Sequence, residues 1–424
     1  MTGNIFRLSW RNIWRNKRRT YLTLLAIAFG VTAVIFARSY ISGIVNNASE
    51  AIVKTQCGHI KIAHKEFLRL ERIMPREYLV TGLDRIRDSL SRMGEVELID
   101  ARIKFNVLLN REDVNEAALA VGIQPEIADK NMDLSRSIVA GQYFGDSALS
   151  LIIGRELADK LKVGVGDELL LVTTDINYST YALPFRIAGM FETGYAHMDR
   201  HFLFIPLPKA QEMLDCGPAA HEILVFLKDP GAAEAVAARV EKELSLQRPG
   251  HRLAVIPWNR NEIIESSLPM MENIYGKIMA IIMFIVALVI LNTMLMAVME
   301  RYHEIGVLKA LGFKNREVFS IILAEAAYLG VIGSLIGGMV GGALSAFVEK
   351  TGINMVKWMG EDIWKQVEVP IPFFGQVLYP DFSLAILAGS IVYGIAVALI
   401  AVLYPAVKSA RMLPVEAFRS ELKV

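Results

Sequence analysis

Four apolar stretches divide this chain, and each is long enough to cross a membrane as a helix. They lie at residues 20–45, 273–299, 316–348 and 383–407, where charged side chains are rare. A helix that crosses a bilayer needs about 20 mostly apolar residues, because an unpaired backbone amide is costly in hydrocarbon. The chain is 53% hydrophobic yet still carries 21% charged residues, so its apolar content is concentrated in segments. The sequence therefore predicts a membrane protein with four transmembrane α-helices.

The distribution of charge predicts how these spans are oriented. Lysine and arginine crowd the first 19 residues, and the first acidic residue is Glu50. Lys408, Arg411 and Arg419 follow the fourth span, in a tail at 408–424. Because cytoplasmic loops carry the excess of lysine and arginine, and four spans return the chain to its starting side, both termini are predicted to be cytoplasmic. Residues 46–272 and a shorter loop at 349–382 would then lie outside. The net charge of +1 gives no sign of a nucleic-acid partner.

Residues 1–19 are predicted to form an amphipathic helix on the cytoplasmic face. Trp10 and Trp14 recur at helical spacing, while Arg11 and Arg15 line the other side. Tryptophan favours the depth of the lipid headgroups and arginine is attracted to anionic lipid, so membrane lipids are an expected partner. A basic leader with only a topogenic role is the alternative. A cleaved signal peptide fits less well, because no clear cleavage site follows the apolar run.

The long segment at 46–272 has the composition of a soluble domain and mixes strand and helix signals. Runs typical of strands include 59–63, 149–153, 168–173 and 202–205, and helix-like runs include 83–92 and 231–244. This mixture predicts an α+β domain whose centre, about 125–220, is a β-rich insert. Residues 259–275 should form a helix that leads straight into the second span. Cys57 and Cys216 both lie in this segment, and the sequence leaves open whether they form a disulfide.

A short charged segment, residues 300–313, joins the second and third spans. Its charged side chains are Glu300, Arg301, Glu304 and Lys309. Its apolar ridge consists of Ile305, Leu308 and Leu311. We predict a helix that stops at Gly312 and presses against a soluble partner. The plainer alternative is a solvated turn between two spans.

The third span contains two further features of interest. Gly333, Gly337 and Gly341 recur every four residues, a spacing that lets helix backbones approach closely in lipid. Packing within one subunit and contact with a second subunit explain this spacing equally well. Glu325 is an acid inside the same apolar span, where an ionisable side chain marks a functional hypothesis. Reaching the interface or pairing with a basic neighbour explains Glu325 better than proton transfer does.

The sequence offers no catalytic constellation. It contains no G-x-x-x-x-G-K-[ST] phosphate loop, no H-E-x-x-H and no G-x-S-x-G. His197 and His201 flank Asp199, but with seven scattered histidines this spacing is better read as coincidence than as a metal site. We therefore predict a non-catalytic membrane subunit without a metal or cofactor of its own.

Several phrases, in this order and topology, resemble one family. They are residues 8–19 before the first span, 121–125, 153–158, 163–167 and 187–194 in the outer segment, 300–312 with the later Glu325, and 404–418 at the end. Together they resemble a permease of the MacB/FtsX-like class of ABC transporters, most closely the lipoprotein-releasing (Lol) permease family. The resemblance covers nearly the whole chain.

This resemblance implies a subunit of the bacterial inner membrane that pairs with a second permease and two copies of a soluble ABC ATPase. ATP and Mg would bind to the ATPase, and residues 300–312 would be the coupling helix that docks into it. The outer domain would be a porter-like α+β unit with a β-rich insert, and would relay the motion of the membrane helices. In the lipoprotein-releasing branch, the substrate is a lipoprotein handed to a periplasmic carrier.

The opening of the first span, Thr20 to Gly30, follows the general permease class rather than the lipoprotein-releasing branch. Two alternatives therefore remain: a MacB-type exporter of peptides or other amphiphiles with an adaptor protein, and an FtsX-like regulator of a cell-wall hydrolase. The sequence leaves open the substrate, the periplasmic partner, and whether the second permease is identical or a sibling.

Overall fold

The computed structural model describes residues 9–11, 14–15, 17–111, 114–145, 147–193, 196–247, 252–354, 357, 360 and 377–411. Its helices are α1 (Lys17–Ile52), α2 (Lys65–Arg69), α3 (Leu83–Ser91), α4 (Pro125–Met132), α5 (Arg155–Leu161), α6 (Ala196–His201), α7 (Leu207–Leu214), α8 (Ala233–Gln247), α9 (Glu262–Met299), α10 (Tyr302–Ala310), α11 (Asn315–Thr351) and α12 (Leu384–Arg411). The predictions for residues 1–8, for most of the 349–382 loop and for the tail beyond 411 lie outside the described residues.

The strands are β1 (Ile60–His64), β2 (Val80–Thr81), β3 (Val96–Arg111), β4 (Val114–Ile123), β5 (Ile138–Gly141), β6 (Ser150–Gly154), β7 (Glu168–Thr174), β8 (Thr180–Phe191), β9 (Phe202–Pro206), β10 (Ala219–Ala220), β11 (Glu222–Leu227), β12 (Leu253–Pro257), β13 (Ile353–Asn354) and β14 (Val377–Leu378). The strand-like runs found in the sequence at 59–63, 149–153, 168–173 and 202–205 correspond to β1, β6, β7 and β9.

Four helices, α1, α9, α11 and α12, are long and apolar enough to cross a membrane. They confirm the fold class predicted from the sequence: four spans, with an α+β domain between the first two. Each helix runs past the apolar stretch that revealed it, and α9 begins at Glu262 although its apolar stretch begins at 273. Backbone hydrogen bonds hold a helix together whether its side chains are apolar or polar, so hydropathy marks only the membrane part of each helix.

The described residues pack into two compact units. The membrane unit contains the described residues up to 46, residues 270–354 and residues 378–411, and the α+β unit contains residues 47–269 with 357, 360 and 377. Helices α1 and α9 each cross from one unit into the other without a break in the helix. The residue before the second crossing is Pro269, which lies inside α9 and lacks the amide that the helix ladder would use there.

Glycines bring α11 close to α1 in the membrane unit. A Cβ atom added at Gly333 would lie 2.9 Å from Ile27 Cβ, and one at Gly337 would lie 2.5 Å from the carbonyl oxygen of Ala28. At Gly341 the nearest atom, a backbone carbon of α1, would be 3.0 Å away. Of the two roles that the sequence left open for these glycines, the structure shows close packing within one chain.

We expect Gly337→Leu to abolish most of the folded protein, because its side chain would have to displace the backbone of α1. Overpacking a core costs about 1–3 kcal/mol even when neighbours are able to shift, and backbone shifts least easily. The yield of monodisperse protein in mild detergent, measured by size-exclusion chromatography, checks this. Gly276→Leu in α9 is the matched control, since nothing lies within 4 Å of a Cβ at Gly276. Equal yields from the two variants would contradict the packing argument.

A ten-stranded sheet runs through the α+β unit in the order β12-β1-β11-β3-β4-β9-β6-β8-β5, and β7 pairs with both β3 and β8. Strand β3 is shared between two halves of this sheet. Its first part, Val96 to Arg102, pairs with β11, and its second part, Ile103 to Arg111, pairs with β4. The β-rich half therefore begins near Ile103, earlier than the predicted boundary at 125. Because β3 is one unbroken run of 16 residues, no turn in the sequence marks the change.

Charged side chains of β1, β11 and the middle of β3 are buried in the α+β unit. Lys61 and Glu222 are fully buried, and Lys104 is 8% exposed. The Nζ atoms of Lys61 and Lys104 lie 2.9 and 2.6 Å from the carboxylate of Glu222, and Lys61 Nζ is also 2.7 Å from Glu71. Burial alone would raise the pKa of Glu222, but the two lysines lower it below its usual value. The three residues form a buried ion cluster in which each charge depends on the others.

Arg102 ties the end of α1 to the sheet within the α+β unit. Helix α1 ends in a π-helical turn, Val53–Cys57. The guanidinium of Arg102, 1% exposed, donates to the carbonyl oxygen of Thr55 and lies 2.6 Å from the carboxylate of Asp100. The last carbonyls of a helix have no partner in the helix itself, so Arg102 supplies one.

The two cysteines are not bonded to one another. Cys57 is buried in the π-helical turn, and its thiol contacts the carbonyl oxygen of Ile52 at 3.7 Å. Cys216 is half-buried, and its thiol contacts the carbonyl oxygen of Gln211. The disulfide that the sequence left open is absent from the structure.

Candidate functional site

The segment between the second and third spans contains a short helix, α10, set off by turns at both ends. Helix α9 ends at Met299 and α10 begins at Tyr302, so Glu300 and Arg301 form a break rather than the first turn of a helix. Gly312 closes the other end with φ of +91°, a conformation that favours glycine. The next helix, α11, begins at Asn315, and the carboxylate of Glu317 accepts a hydrogen bond of 2.8 Å from the amide of Lys314.

An ion network holds α10 in place. The guanidinium of Arg301 lies 3.0 Å from the carboxylate of Glu304 and also pairs with Glu325 of α11. Arg15 pairs with Glu304 from the N-terminal segment. The Arg301 and Glu325 side chains are 9% and 10% exposed, whereas Glu304 is 31% exposed. Burial would raise the pKa of Glu304, but hydrogen bonds from Arg301 and Arg15 lower it, so Glu304 stays charged at neutral pH.

Glu325 pairs with a basic neighbour, which is one of the explanations that the sequence suggested for it. A carboxylate at this depth is costly unless it is paired, and Arg301 supplies the counter-charge from a residue 24 positions earlier in the chain. A cavity of about 30 Å³ beside the pair is lined by Arg301, Glu325 and apolar side chains of the same unit.

The structure corrects the expected orientation of two residues in this segment. Arg301 and Ile305 were predicted to face a partner, but they are only 8% and 4% exposed. Arg301 is turned inward by its ion pair with Glu325, and Ile305 belongs to the apolar core shared with α9, α11 and α12. Among the described residues of this segment, Glu300, Val307 and Leu311 reach the surface together with Ala310 and Gly312, and Leu311 is 73% exposed.

Leu308 and Lys309 are half-buried. The ammonium of Lys309 donates to the carbonyl oxygen of Ala410 at 2.8 Å and also bonds the side chain of Asn315. Lys309 therefore holds the end of α10 against the end of α12 and the start of α11. It satisfies a carbonyl in the last turn of α12 that the helix itself leaves open.

The described part of the N-terminal segment is helical at residues 9–11 and 14–15. Trp10 and Trp14 are each 42% exposed, and their rings contact edge to face with centroids 6.1 Å apart. Trp10 also contacts Tyr328 of α11, with centroids 5.4 Å apart. Arg11 is exposed, and Arg15 is exposed apart from its contact with Glu304. The placement of these four residues in a membrane interface stays a prediction.

In the part of the chain that the structure describes, no three His, Cys, Asp or Glu side chains converge as metal ligands would. The rings of His197 and His201 are in tilted contact with centroids 5.1 Å apart, and the carboxylate of Asp199 accepts hydrogen bonds from Thr193.

Sequence reasoning missed two contacts of this site. It assigned Arg15 to the membrane interface alone, although Arg15 also pairs with Glu304. It treated Arg301 and Glu325 separately, although they form one buried pair. The second contact had only a partial signal, because an acid in an apolar span needs a counter-ion, but Lys309 and Lys314 are closer to the span in sequence than Arg301 is. The pair between Arg15 and Glu304 depends on tertiary packing, and nothing in the sequence indicated it.

Two family models match the chain. Residues 20–243 match the MacB-like periplasmic core domain, and residues 276–414 match the FtsX-like permease C-terminal domain. The lipoprotein-releasing system transmembrane protein LolC of Xylella fastidiosa is 25% identical over 75% of this chain and 76% of its own length. LolC of Neisseria meningitidis is 21% identical over 95% of this chain and 94% of its own length. The macrolide export ATP-binding/permease protein MacB of Nitrosomonas europaea is 24% identical over 98% of this chain and 59% of its own length.

Proposed function

The chain belongs to the family of MacB-like and FtsX-like ABC transporter permeases, and from this membership we propose that it extracts lipoproteins from the bacterial inner membrane. It is a permease component, and ATP would be hydrolysed by a separate ATPase present in two copies. ATP and Mg would bind to that ATPase. The similarity to two LolC proteins of lipoprotein-releasing systems over most of the chain supports lipoprotein release. In this proposal a periplasmic carrier would receive the lipoprotein.

Helix α10 and its flanking turns are the proposed contact with the ATPase. Glu300, Val307 and Leu311 are exposed, so they would form the contact itself. Three further residues would hold α10 in position without contacting the ATPase: Arg301, Glu304 and Lys309. Their ion pairs and hydrogen bonds fix α10 to α11 and α12. A short helix held by buried ion pairs moves with the spans to which it is attached. A force on its exposed face would therefore reach the membrane helices.

The observation that carries the transport mechanism is the continuity of α1 and α9 across the boundary between the two units. A displacement of either helix in the membrane would act directly on the α+β unit, since no loop intervenes. Arg102 and Asp100 would transmit the displacement of α1 to the sheet. The proposed orientation has both termini in the cytoplasm and the α+β unit in the periplasm. A second permease, identical or a sibling, would complete the complex.

Export of an amphiphile in the manner of MacB is the second candidate. The similarity to MacB of Nitrosomonas europaea covers 98% of this chain and supports it. Affinity purification of the full chain in mild detergent, followed by mass spectrometry, separates the two. Co-purification of an ATPase, a second permease and acylated proteins supports lipoprotein release. An ATPase with a periplasmic adaptor favours export, and purification without any ATPase contradicts both candidates.

We expect Leu311→Asp to weaken binding of the ATPase at least ten-fold while leaving the permease folded. Leu311 is 73% exposed, so the new carboxylate would cost nothing in the free permease but would have to be desolvated in the complex. The amount of ATPase retained on immobilised permease, as a function of its concentration, measures the effect. Ile73→Asp is the matched control, because Ile73 is 68% exposed in the α+β unit. Equal retention by the two variants would remove Leu311 from the contact.

A further inference from the structure

A groove with a basic end lies between the start of α1 and the end of α9 in the membrane unit. Its volume is about 580 Å³, and its walls include Arg15, Lys17, Arg18, Leu22, Met296 and Glu300. Three cations therefore face one acid. Arg15, Lys17 and Arg18 are all exposed, so the groove is open to the surroundings.

The rest of the groove is lined by Leu22, Met296 and Ala297, with the hydroxyl side chains of Thr23 and Thr293 beside them. Leu22 is 66% exposed and Met296 is 62% exposed, although both belong to helices that cross the membrane. Lys17 and Arg18 precede the apolar stretch of α1, which starts at about residue 20, so the basic end lies at the depth of the lipid headgroups. Positive charge at one end of the groove gives way to apolar side chains farther along α1. A phospholipid has the matching order, with a charged headgroup followed by apolar acyl chains.

We propose that this groove binds an anionic phospholipid of the leaflet at the basic start of α1, with its phosphate held by Lys17 and Arg18 and its acyl chain against Leu22 and Met296. Charge complementarity argues for the anionic headgroup, since lysine and arginine near a membrane surface attract anionic lipid. The apolar side chains favour a lipid over free phosphate, because a phosphate ion has no apolar part that would pack against Leu22 and Met296.

Arg15 connects this site to α10. It lines the groove and also pairs with Glu304, so a lipid phosphate in the groove would compete with Glu304 for the same guanidinium. Glu300, at the rim, is two residues before α10 begins. The bound lipid would therefore weaken the ion pair between Arg15 and Glu304. The lipid composition of the leaflet would then affect how firmly α10 is held in position. This connection rests on the proposed coupling role of α10, whereas the lipid site itself does not.

Native mass spectrometry of the full chain, with the partners it retains in mild detergent, tests the proposal by titration with dioleoyl-phosphatidylglycerol. The variant Lys17→Gln/Arg18→Gln should bind this lipid at least ten-fold more weakly, a loss of about 1.4 kcal/mol. Arg15 is left intact so that its pair with Glu304 persists. The control is Lys408→Gln/Arg411→Gln, which removes the same charge at the end of α12, where both side chains are exposed. It should bind the lipid within two-fold of the unaltered protein.

Four results would overturn the proposal. Equal losses in the two variants would mean diffuse attraction to charge rather than a site. Equal binding of dioleoyl-phosphatidylcholine would exclude recognition of an anionic headgroup. Displacement of the lipid by millimolar inorganic phosphate would indicate a site for the free ion. Efficient disulfide cross-linking of two copies carrying Leu22→Cys in native membranes would show that a second copy covers the groove.

Discussion

Replacing Glu222 by leucine should unfold the α+β unit or leave it barely stable. Glu222 is fully buried, and its carboxylate lies within 3 Å of the ammonium groups of both Lys61 and Lys104. Without it, two buried ammonium groups share only Glu71, which is 3.9 Å from Lys104. Removing one partner of a buried ion pair costs about 3–5 kcal/mol, against a total stability of about 5–15 kcal/mol for a typical domain.

Thermal unfolding of the full chain in detergent, combined with limited proteolysis, measures this effect. Glu95→Leu is the control, because Glu95 forms an exposed pair of 2.6 Å with Arg239 in the same unit, and exposed pairs contribute about 0–1 kcal/mol. The variant Lys61→Met/Lys104→Met/Glu222→Leu should recover much of the loss, since it leaves none of the three buried charges unpaired and the Glu71 side chain, 25% exposed, is open to water. If Glu222→Leu unfolded no earlier than Glu95→Leu, the cluster would not be a determinant of stability.

The pH dependence of this cluster has a definite sign. The pKa of Glu222 is lower in the folded protein than its usual value of 4.5. A carboxyl group with a lowered folded pKa stabilises the fold at neutral pH, and this stabilisation is lost as the pH falls below the unfolded value towards the folded one. The cluster therefore stabilises the α+β unit throughout the neutral range.

The second large effect is an asymmetry between the partners of the ion pair at α10. Arg301→Ala should destabilise the membrane unit strongly, because Glu325 would remain buried in the span without its counter-charge. Glu325→Ala should be milder, since Arg301 would keep its 3.0 Å pair with Glu304. We expect a difference of at least 2 kcal/mol, or about 30-fold in the ratio of folded to unfolded protein.

The loss of monodisperse protein on heating in detergent ranks the two variants. Glu325→Gln is a useful third variant, because it keeps the shape of the side chain and removes only the charge. It should behave like Glu325→Ala if the charge is what matters. Equal effects of Arg301→Ala and Glu325→Ala would contradict the asymmetry, and with it the view that Glu304 shares Arg301.

Much of the fold could be predicted from sequence because its signals are local. The strand run at 168–173 became β7, Glu168–Thr174, and the helix run at 83–92 became α3, Leu83–Ser91. Each depends on its own side-chain pattern and on turn residues at its ends. The four membrane helices could be predicted for the same reason, because a long apolar run is compatible with few structures other than a membrane-spanning helix.

The parts that escaped prediction depend on distant residues. Lys61 stands between Ile60 and Ile62, and strand alternation places it on a solvent face. In the structure both faces of β1 are covered, and Lys61 is neutralised by Glu222 from β11. Arg301 and Ile305 look like surface residues in a short charged segment, but their partners come from α11 and the neighbouring spans. No local pattern carries that information.

The pairing of β1 has a consequence for how the chain is made. Both neighbours of β1 come late in the sequence, since Ile60 is opposite Val225 of β11 and Pro257 of β12. Ribosomes add about 5–20 residues per second, so β1 emerges roughly 10–30 s before the strand that pairs with it. During that interval its amides have no partner strand, and the carboxylate that will neutralise Lys61 has not been synthesised. Until β11 emerges, this half of the sheet exists only as separate pieces.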